Sequence, residues 1–180
     1  MNEEQLLVEA LKNPKTREKA FRELISTYHK PLYFHIRGLV LNHDDADDVL
    51  QNTWIKIYRN IENFRGESKL YSWFYRIATN ESMTFLQSKS KKMQKSVEEL
   101  VFERVEGLEA DSYFDGDALQ IKLQKAIIAL PKKQQLVFKM RYFDALSYEQ
   151  MSEILETSVG ALKASYHHAA KKIEDFIKNH

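Results

Sequence analysis

Apolar residues recur at helical spacing along most of the chain, and residues 44–61 show the pattern most clearly. One face of this stretch carries small or apolar residues at Ala46, Val49, Leu50, Thr53, Trp54, Ile57, Tyr58 and Ile61. The i, i+3, i+4, i+7 spacing predicts an amphipathic helix, and we expect Asp44 or Asp45 to cap its start. The opposite face carries Asp48, Gln51, Asn52, Ile55 and Arg59. One exposed isoleucine needs no explanation, but Ile55 between Asp48 and Gln51 also fits a docking surface for another protein.

A second helix, rich in aromatic residues, follows a break at residues 65–68, where Gly66 permits an unusual backbone. Its one side carries Trp73, Phe74, Ile77, Ala78 and Phe85, and its other side carries Lys69, Arg76, Thr79 and Asn80, with Tyr71 and Tyr75 at the borders. We assign Trp73 and Phe74 to the core, as is usual for aromatics at helical spacing. Basic, amide and aromatic groups on an outward face fit single-stranded nucleic acid, through phosphates, base edges and stacking.

The remaining segments are also helical, and the last two form a recognisable pair. We expect Pro31 to kink or split a helix over residues 16–41. Near the end, Ser147 and Gln150 match a capping box, and a turn at residues 156–158 separates a short helix from a long basic one. The outer positions of the long helix are Lys163, Ser165, His167, His168, Lys171 and Lys172. This pattern predicts a helix-turn-helix; helical hairpins that bind no DNA look similar, but the basic outer face favours DNA.

Composition narrows the fold and the function. Five Gly and three Pro in 180 residues favour long regular elements, and no run reaches the length of a membrane span. We expect no signal peptide, and the absence of cysteine fits a reducing compartment, so we expect the protein in the cytoplasm. The six His are scattered, and the chain has no phosphate loop, catalytic-triad spacing or metal-ligand cluster. We therefore expect a protein that is not an enzyme and uses no cofactor or metal.

Charge alternates along the chain. Residues 65–95 are mainly basic, residues 98–117 carry eight acidic groups against Arg104 alone, and the chain then turns basic again. The acidic stretch has no clean period, so we expect a mobile linker: either a passive tether or a segment whose carboxylates occupy a basic channel. The predicted fold is all-α, with two small helical domains joined by an acidic flexible linker, the C-terminal one containing the helix-turn-helix.

Together these features resemble a bacterial RNA polymerase sigma factor of the extracytoplasmic-function group of the sigma-70 family. Residues 45–51 (DADDVLQ) resemble the polymerase-docking motif of the family. Residues 64–68 (FRGES) and 73–80 (WFYRIATN) resemble its minus-ten recognition block. Residues 130–133 (LPKK) and the helix-turn-helix resemble its minus-thirty-five domain. The resemblance implies a region 2 domain at 1–94, an acidic linker at 95–117 and a region 4 domain at 118–180.

The resemblance also implies site residues and partners. It assigns Asp48, Gln51, Asn52 and Ile55 to contacts with the clamp helices of the largest polymerase subunit. Minus-ten contacts fall to Phe64, Arg65, Ser68, Lys69, Tyr75, Arg76 and Asn80, and minus-thirty-five contacts to Lys163, Ser165, His167, His168, Lys171 and Lys172. The implied partners are core RNA polymerase, promoter DNA and an anti-sigma protein, with no small-molecule substrate.

The chain departs from the family pattern at several positions. Ser165, His168 and Ala170 stand where the recognition helix of the family often has Arg, which is the commonest specific reader of guanine. Glu156 stands in the turn where the family often has Gly, which predicts backbone strain. The alternative function is a helix-turn-helix regulator that acts without being a polymerase subunit. Such a regulator would bind an operator alone, whereas a promoter-specificity subunit would bind promoters little without polymerase.

Overall fold

The computed structural model describes residues 2–180, and that part of the chain is all-α, as predicted. Its helices are α1 (Glu3–Lys12), α2 (Arg17–Val40), α3 (His43–Asn60), α4 (Leu70–Lys92), α5 (Val97–Glu106), α6 (Ala118–Ile128), α7 (Lys132–Tyr142), α8 (Tyr148–Leu155) and α9 (Val159–Asn179). Two short 3-10 turns lie at Ile61–Asn63 and Leu108–Ala110. No helix in residues 2–180 is long and apolar enough to cross a membrane.

The first domain is built from α2, α3 and α4, which pack side by side with α1 against α2. The predicted inner face of α3 is buried at Ala46, Val49, Leu50, Thr53, Trp54 and Ile57, and Ile61 at the start of the following 3-10 turn is buried as well. Phe74 of α4 is fully buried and lies edge-on to Tyr28. Tyr58 is the exception, because it is 41 % exposed and lies beside Phe21 at the edge of the core.

The second domain contains α6 to α9 and the predicted helix-turn-helix. A core of Leu123, Ala126, Ile127, Leu130, Phe138, Ala169 and Ile173 holds α6, α7 and α9 together. Ser147 and Gln150 form the predicted capping box at the start of α8. Ser158 caps α9 through the amide of Ala161. Glu156 between them has φ 53°, the left-handed conformation that glycine tolerates best, so the expected strain is present.

Pro31 does not split its helix, so of the two predicted effects the split is wrong, and the kink stays a prediction. The helix α2 runs unbroken from Arg17 to Val40 with Pro31 inside it. Proline removes the hydrogen bond to the carbonyl of the residue four positions earlier, which is Thr27. Because Pro31 and Thr27 are both exposed, water can take the place of the missing donor.

The acidic linker is more ordered than predicted. Ser96 and Glu99 form a capping box that starts α5, and Leu100, Val105 and Leu108 are buried. Helix α5 packs against both α4 and α6, so its apolar residues divide between two neighbours and show no single helical period. The interpretation of residues 95–117 as an irregular segment is therefore wrong for residues 97–110.

Candidate nucleic-acid interface

The four predicted docking residues share the exposed face of α3. Asp48, Gln51, Asn52 and Ile55 are all solvent-exposed, and Ile55 is 43 % exposed. Helical spacing places them on the side opposite the buried face, so a partner can reach all four together. This face is polar around one branched apolar side chain, which is a pattern suited to protein binding.

The start of α3 is fixed differently from the sequence prediction. Asp44 or Asp45 was expected to cap the helix, but the Asn42 side chain accepts the amide of Asp45 at 3.0 Å and caps it instead. The Asp45 carboxylate is buried and pairs with Lys89 of α4 at 2.7 Å. It also pairs with Arg104 of α5. Asp45 therefore ties the connecting helix to the first domain.

The loop of residues 64–69 carries part of the predicted minus-ten set. Arg65 and Lys69 are exposed, Ser68 is half-buried, and Gly66 has φ +74°. Phe64 is only 6 % exposed, and its ring lies 5.3 Å from that of Trp73. The expectation that Phe64 meets unpaired bases is therefore wrong for this arrangement, because its ring anchors the loop to the core.

Fewer of the predicted DNA-contacting residues of α4 are exposed than expected. Asn80 is exposed, but Tyr75 is 6 % exposed and lies against His35 with ring centroids 5.0 Å apart. Burial raises the pKa of the Tyr75 phenol, and the nearby Asp144 carboxylate adds to the rise. Tyr75 is thus a core residue, and its assignment to an outward DNA-binding face is wrong.

Helix α8 of the second domain covers the outer side of α4. The hydroxyl of Ser72 donates to a Glu153 carboxylate oxygen at 2.8 Å, and Arg76 Nη2 donates to the Glu153 backbone carbonyl at 2.8 Å. Arg76 Nη1 also lies 3.5 Å from the Glu156 carboxylate. Both Nη atoms of Arg76 therefore contact the second domain and are not free for phosphate.

A buried polar cluster joins the two domains beside this contact. The His35 ring nitrogens lie 2.6 Å from the Asp144 carboxylate and 2.8 Å from the Thr79 hydroxyl. Lys139 Nζ donates to the Gly38 carbonyl at 2.9 Å. Burial lowers the pKa of Lys139 to about 8, against the opposing effect of Asp144. Thr79, expected on the outward side of α4, is buried in this cluster.

The outer face of α9 matches its prediction more closely. Lys163, His167, His168, Lys171 and Lys172 are exposed, and Ser165 is half-buried. Lys163 lies over the Tyr148 ring at 5.8 Å, and Lys172 Nζ donates to Gln134 at 3.3 Å. The side chains stand on the helix that follows the turn, where a helix-turn-helix presents its groove-reading face.

Sequence reasoning missed the residues that join separate parts of the chain. His35, Lys139, Asp144 and Glu153 have their partners 44 to 109 residues away. Local periodicity gives no signal for such pairings. Within residues 2–180, no group of His, Asp and Glu is arranged to hold a metal ion.

Comparison with protein families identifies two segments. A family model described as Sigma-70 region 2 matches residues 24–92. A second, described as Sigma-70, region 4, matches residues 120–173. Together these segments cover more than half of the chain, and each lies within one of the two domains described above.

Similar proteins span nearly the whole chain. The ECF RNA polymerase sigma-E factor of Haemophilus influenzae is 29% identical over 174 residues, covering 89% of each chain. The protein of the same name from Escherichia coli K12 is 28% identical over 190 residues, covering 97% of this chain and 94% of its own.

Two solved structures share the fold. CnrH in complex with the cytosolic domain of CnrY has a TM-score of 0.71 at 16% identity and covers 99% of both chains. The sigma factor RpoE in complex with the anti-sigma factor NepR from Bartonella quintana has a TM-score of 0.65 at 20% identity. It covers 89% of this chain and 98% of that one.

Proposed function

Because this chain belongs to the extracytoplasmic-function group of the sigma-70 family and is a promoter-recognition subunit of RNA polymerase, we propose a division of labour among its surfaces. The exposed face of α3 binds core polymerase. The loop of residues 64–69 and α4 read the minus-ten element, and α9 reads the minus-thirty-five element. The working units are residues 1–94 and 118–180, with residues 95–117 as the connector.

The observation that carries this proposal is the shared exposure of Asp48, Gln51, Asn52 and Ile55 on one face of α3. A branched apolar side chain surrounded by carboxylate and amide groups can be desolvated at the centre of an interface while the polar groups form its rim. The clamp helices of the largest subunit are the proposed partner.

The proposed minus-ten surface consists of residues that are exposed to solvent or that become exposed when α8 moves away. Arg65, Lys69 and Arg76 supply positive charge, and Ser68 and Asn80 supply groups that can bond base edges. Phe64 and Tyr75 shape this surface from below rather than contacting DNA. In the present arrangement Arg76 must break its contacts with Glu153 and Glu156 before it can bind DNA.

The minus-thirty-five surface is α9. Lys163, Ser165, His167 and His168 face the major groove, and Lys171 and Lys172 contact phosphates. Since this face has no arginine, its base preference rests on lysine, histidine and hydroxyl contacts rather than on bidentate arginine–guanine pairs.

The proposed partners include an anti-sigma protein. The solved structures of the two fold neighbours are complexes with the cytosolic domain of CnrY and with the anti-sigma factor NepR. We place the protein in the cytoplasm, because a sigma subunit acts with RNA polymerase.

Charge reversal on the docking face tests the proposal. We expect Asp48→Lys with Gln51→Ala to weaken core-polymerase binding by about thirty-fold or more, as loss of interface anchors does. The measurement is a binding titration with purified core enzyme. Glu23→Lys, an exposed charge reversal on α2, serves as the control.

Unchanged core binding by a variant that keeps the wild-type unfolding transition would contradict the docking assignment. The same preparation separates the alternative function. Run-off transcription that depends on the added chain supports a polymerase subunit, whereas tight binding to duplex promoter DNA without polymerase supports an independent regulator.

A further inference from the structure

Helix α1 lies outside both matched family segments, yet it is firmly built into the first domain. Asn2 and Gln5 form a capping box at its start. Leu11 is completely buried near its end. The helix packs against α2 and against the 3-10 turn that leads into the loop of residues 64–69. This position places it beside the proposed minus-ten loop.

One α1 side chain holds the end of that loop. The N-cap residue of α4 is Lys69, whose side chain cannot accept a hydrogen bond and forms no cap. The Glu4 carboxylate instead accepts the Leu70 amide at 2.9 Å from 66 residues away. A carboxylate at a helix N-terminus also interacts favourably with the helix dipole. Glu4 therefore supplies the cap that the local sequence lacks.

A second α1 side chain holds the beginning of the loop. Lys12 Nζ donates to the Phe64 carbonyl at 2.7 Å, in a partly buried position. Glu4 and Lys12 are eight residues apart, which is about 12 Å along a helix. A single rigid helix thus bonds to the backbone on both sides of residues 65–69.

A cavity lies where the loop, α1 and α8 meet. Its volume is about 900 Å³, and its lining includes Arg65, Ser68 and Lys69 together with Gln5 and Glu9 of α1. The loop side of this space carries the cationic and hydroxyl groups of the proposed minus-ten surface. The α1 side is part of the wall that those groups face.

We propose that α1 is a brace for the minus-ten loop, with Glu4 and Lys12 as positioning residues for base selection. The inference rests on the proposed minus-ten role of residues 64–69. Base discrimination requires donors and acceptors held within about 0.5 Å of the productive geometry. A loop released at either end keeps its charge and still attracts phosphates, but it distinguishes bases less well.

The experiment uses holoenzyme reconstituted from the full chain and core polymerase. Transcripts are sequenced from two promoter pools, one randomised across the minus-ten element and one across the minus-thirty-five element. We expect Glu4→Ala and Lys12→Met to reduce the preference for the favoured minus-ten bases by about ten-fold each, as loss of one charged hydrogen bond would. Preferences at minus-thirty-five should not change.

Conservative variants and matched controls separate positioning from general stability. Glu4→Gln retains an acceptor and Lys12→Arg retains a donor, so both should keep most of the preference. Glu3→Ala and Lys19→Met change exposed neighbours of the same charge and should behave as wild type. Faster hydrogen exchange at the Leu70 amide in Glu4→Ala reports that the bond is gone.

Variants of the loop itself distinguish a failure of the brace proposal from a failure of the minus-ten assignment. Ser68→Ala, alone and combined with Arg65→Ala, removes the loop group that can bond base edges, so both variants should alter minus-ten preference. If they do so while Glu4→Ala and Lys12→Met do not, the brace is overturned and the minus-ten assignment stands. If the loop variants change nothing, the assignment fails and the brace with it. Equal loss of preference at both elements in the α1 variants also overturns the brace.

Discussion

The docking face of α3 and the minus-ten face of α4 belong to the same domain but are in opposite states. Asp48, Gln51 and Ile55 are open to solvent, whereas α8 covers α4 and engages Ser72 and Arg76. If these surfaces act as proposed, polymerase can reach its own on this arrangement. Arg65, Lys69 and Asn80 are exposed as well, so only the part of the proposed minus-ten surface at Arg76 becomes available after α8 has moved. The proposed roles therefore predict that polymerase binding precedes full engagement of the minus-ten element.

Both apolar packing and buried polar groups hold the covered face closed. Met140, Met151 and Ile154 of the second domain belong to the same buried cluster as Phe74 and Ile36 of the first. Opening the contact exposes such side chains to water, which is unfavourable by about 1.5–3 kcal/mol for each large one fully uncovered. Binding to a partner must supply that free energy.

The largest effect is expected from Asp144→Ala. The change leaves the His35 ring without its carboxylate partner in a buried site and removes the acidic group near Lys139. We expect the closed arrangement to lose about 3 kcal/mol, in the range measured when one member of a buried pair is removed. Because the chain has no cysteine, dyes attached to Glu23→Cys and Asp175→Cys report the domain separation directly.

Glu149→Ala, on the exposed side of α8, is the control for that change and should leave the dye separation unaltered. Asp144→Asn keeps an acceptor without the charge and should give an intermediate result. A closed, wild-type separation in Asp144→Ala would show that apolar packing and the hydrogen bonds to Glu153 hold α8 on α4 without the His35–Asp144 pair.

The second prediction concerns pH. Burial lowers the pKa of Lys139 from 10.5 to about 8, so the unfolded chain binds more protons between these values and stability rises with pH across that window. Below pH 8 the buried amine is charged in the folded protein, and the resulting loss of stability has its full value, about 3 kcal/mol at most. We expect Lys139→Met to be more stable than wild type at pH 7, with a difference that shrinks towards pH 10. Urea unfolding at several pH values measures it.

The informative quantity in that measurement is the difference in unfolding free energy between wild type and Lys139→Met. Burial also raises the pKa of Tyr75, which makes stability fall at high pH, but this effect is common to both proteins and cancels. Lys133→Met, an exposed neighbour, should show no comparable pH dependence. A pH-independent difference for Lys139→Met would place the amine in water rather than in the domain contact.

The open face was predictable from sequence and the covered one was not, for a physical reason. Helical periodicity separates Val49 and Trp54 from Asp48 and Ile55, because burial within one helix repeats along that helix. Local motif spacing identified the capping box at Ser147, and the resemblance to the family, which often has Gly at this position, predicted the strained turn at Glu156. Helical periodicity misplaced Tyr75, because the ring that this side chain packs against, His35 of α2, is distant in sequence.

Long-range partners explain the other misplacements. The acidic segment appeared irregular because α5 divides its apolar side chains between two neighbours, and Asp45 appeared to be a cap because Lys89 and Arg104 are distant in sequence. Phe64 fell in a loop, where an aromatic ring has no period to mark it as core. Each of these features depends on which distant segments pack together, and local patterns in a single sequence do not show that.

The smallest effect is expected at Glu156, and it separates charge from backbone strain at the edge of the covered face. The Glu156 carboxylate lies 3.5 Å from Arg76 and its side chain is 76 % exposed, so water screens the pair and Glu156→Ala should change stability by less than about 0.5 kcal/mol. Its φ of 53° favours glycine, so Glu156→Gly should be more stable than Glu156→Ala by up to about 1 kcal/mol. Thermal unfolding of both variants measures the two contributions. If Glu156→Ala instead opened the domains as far as Asp144→Ala, the exposed ion pair would be the main contact, and the buried cluster would have to be secondary.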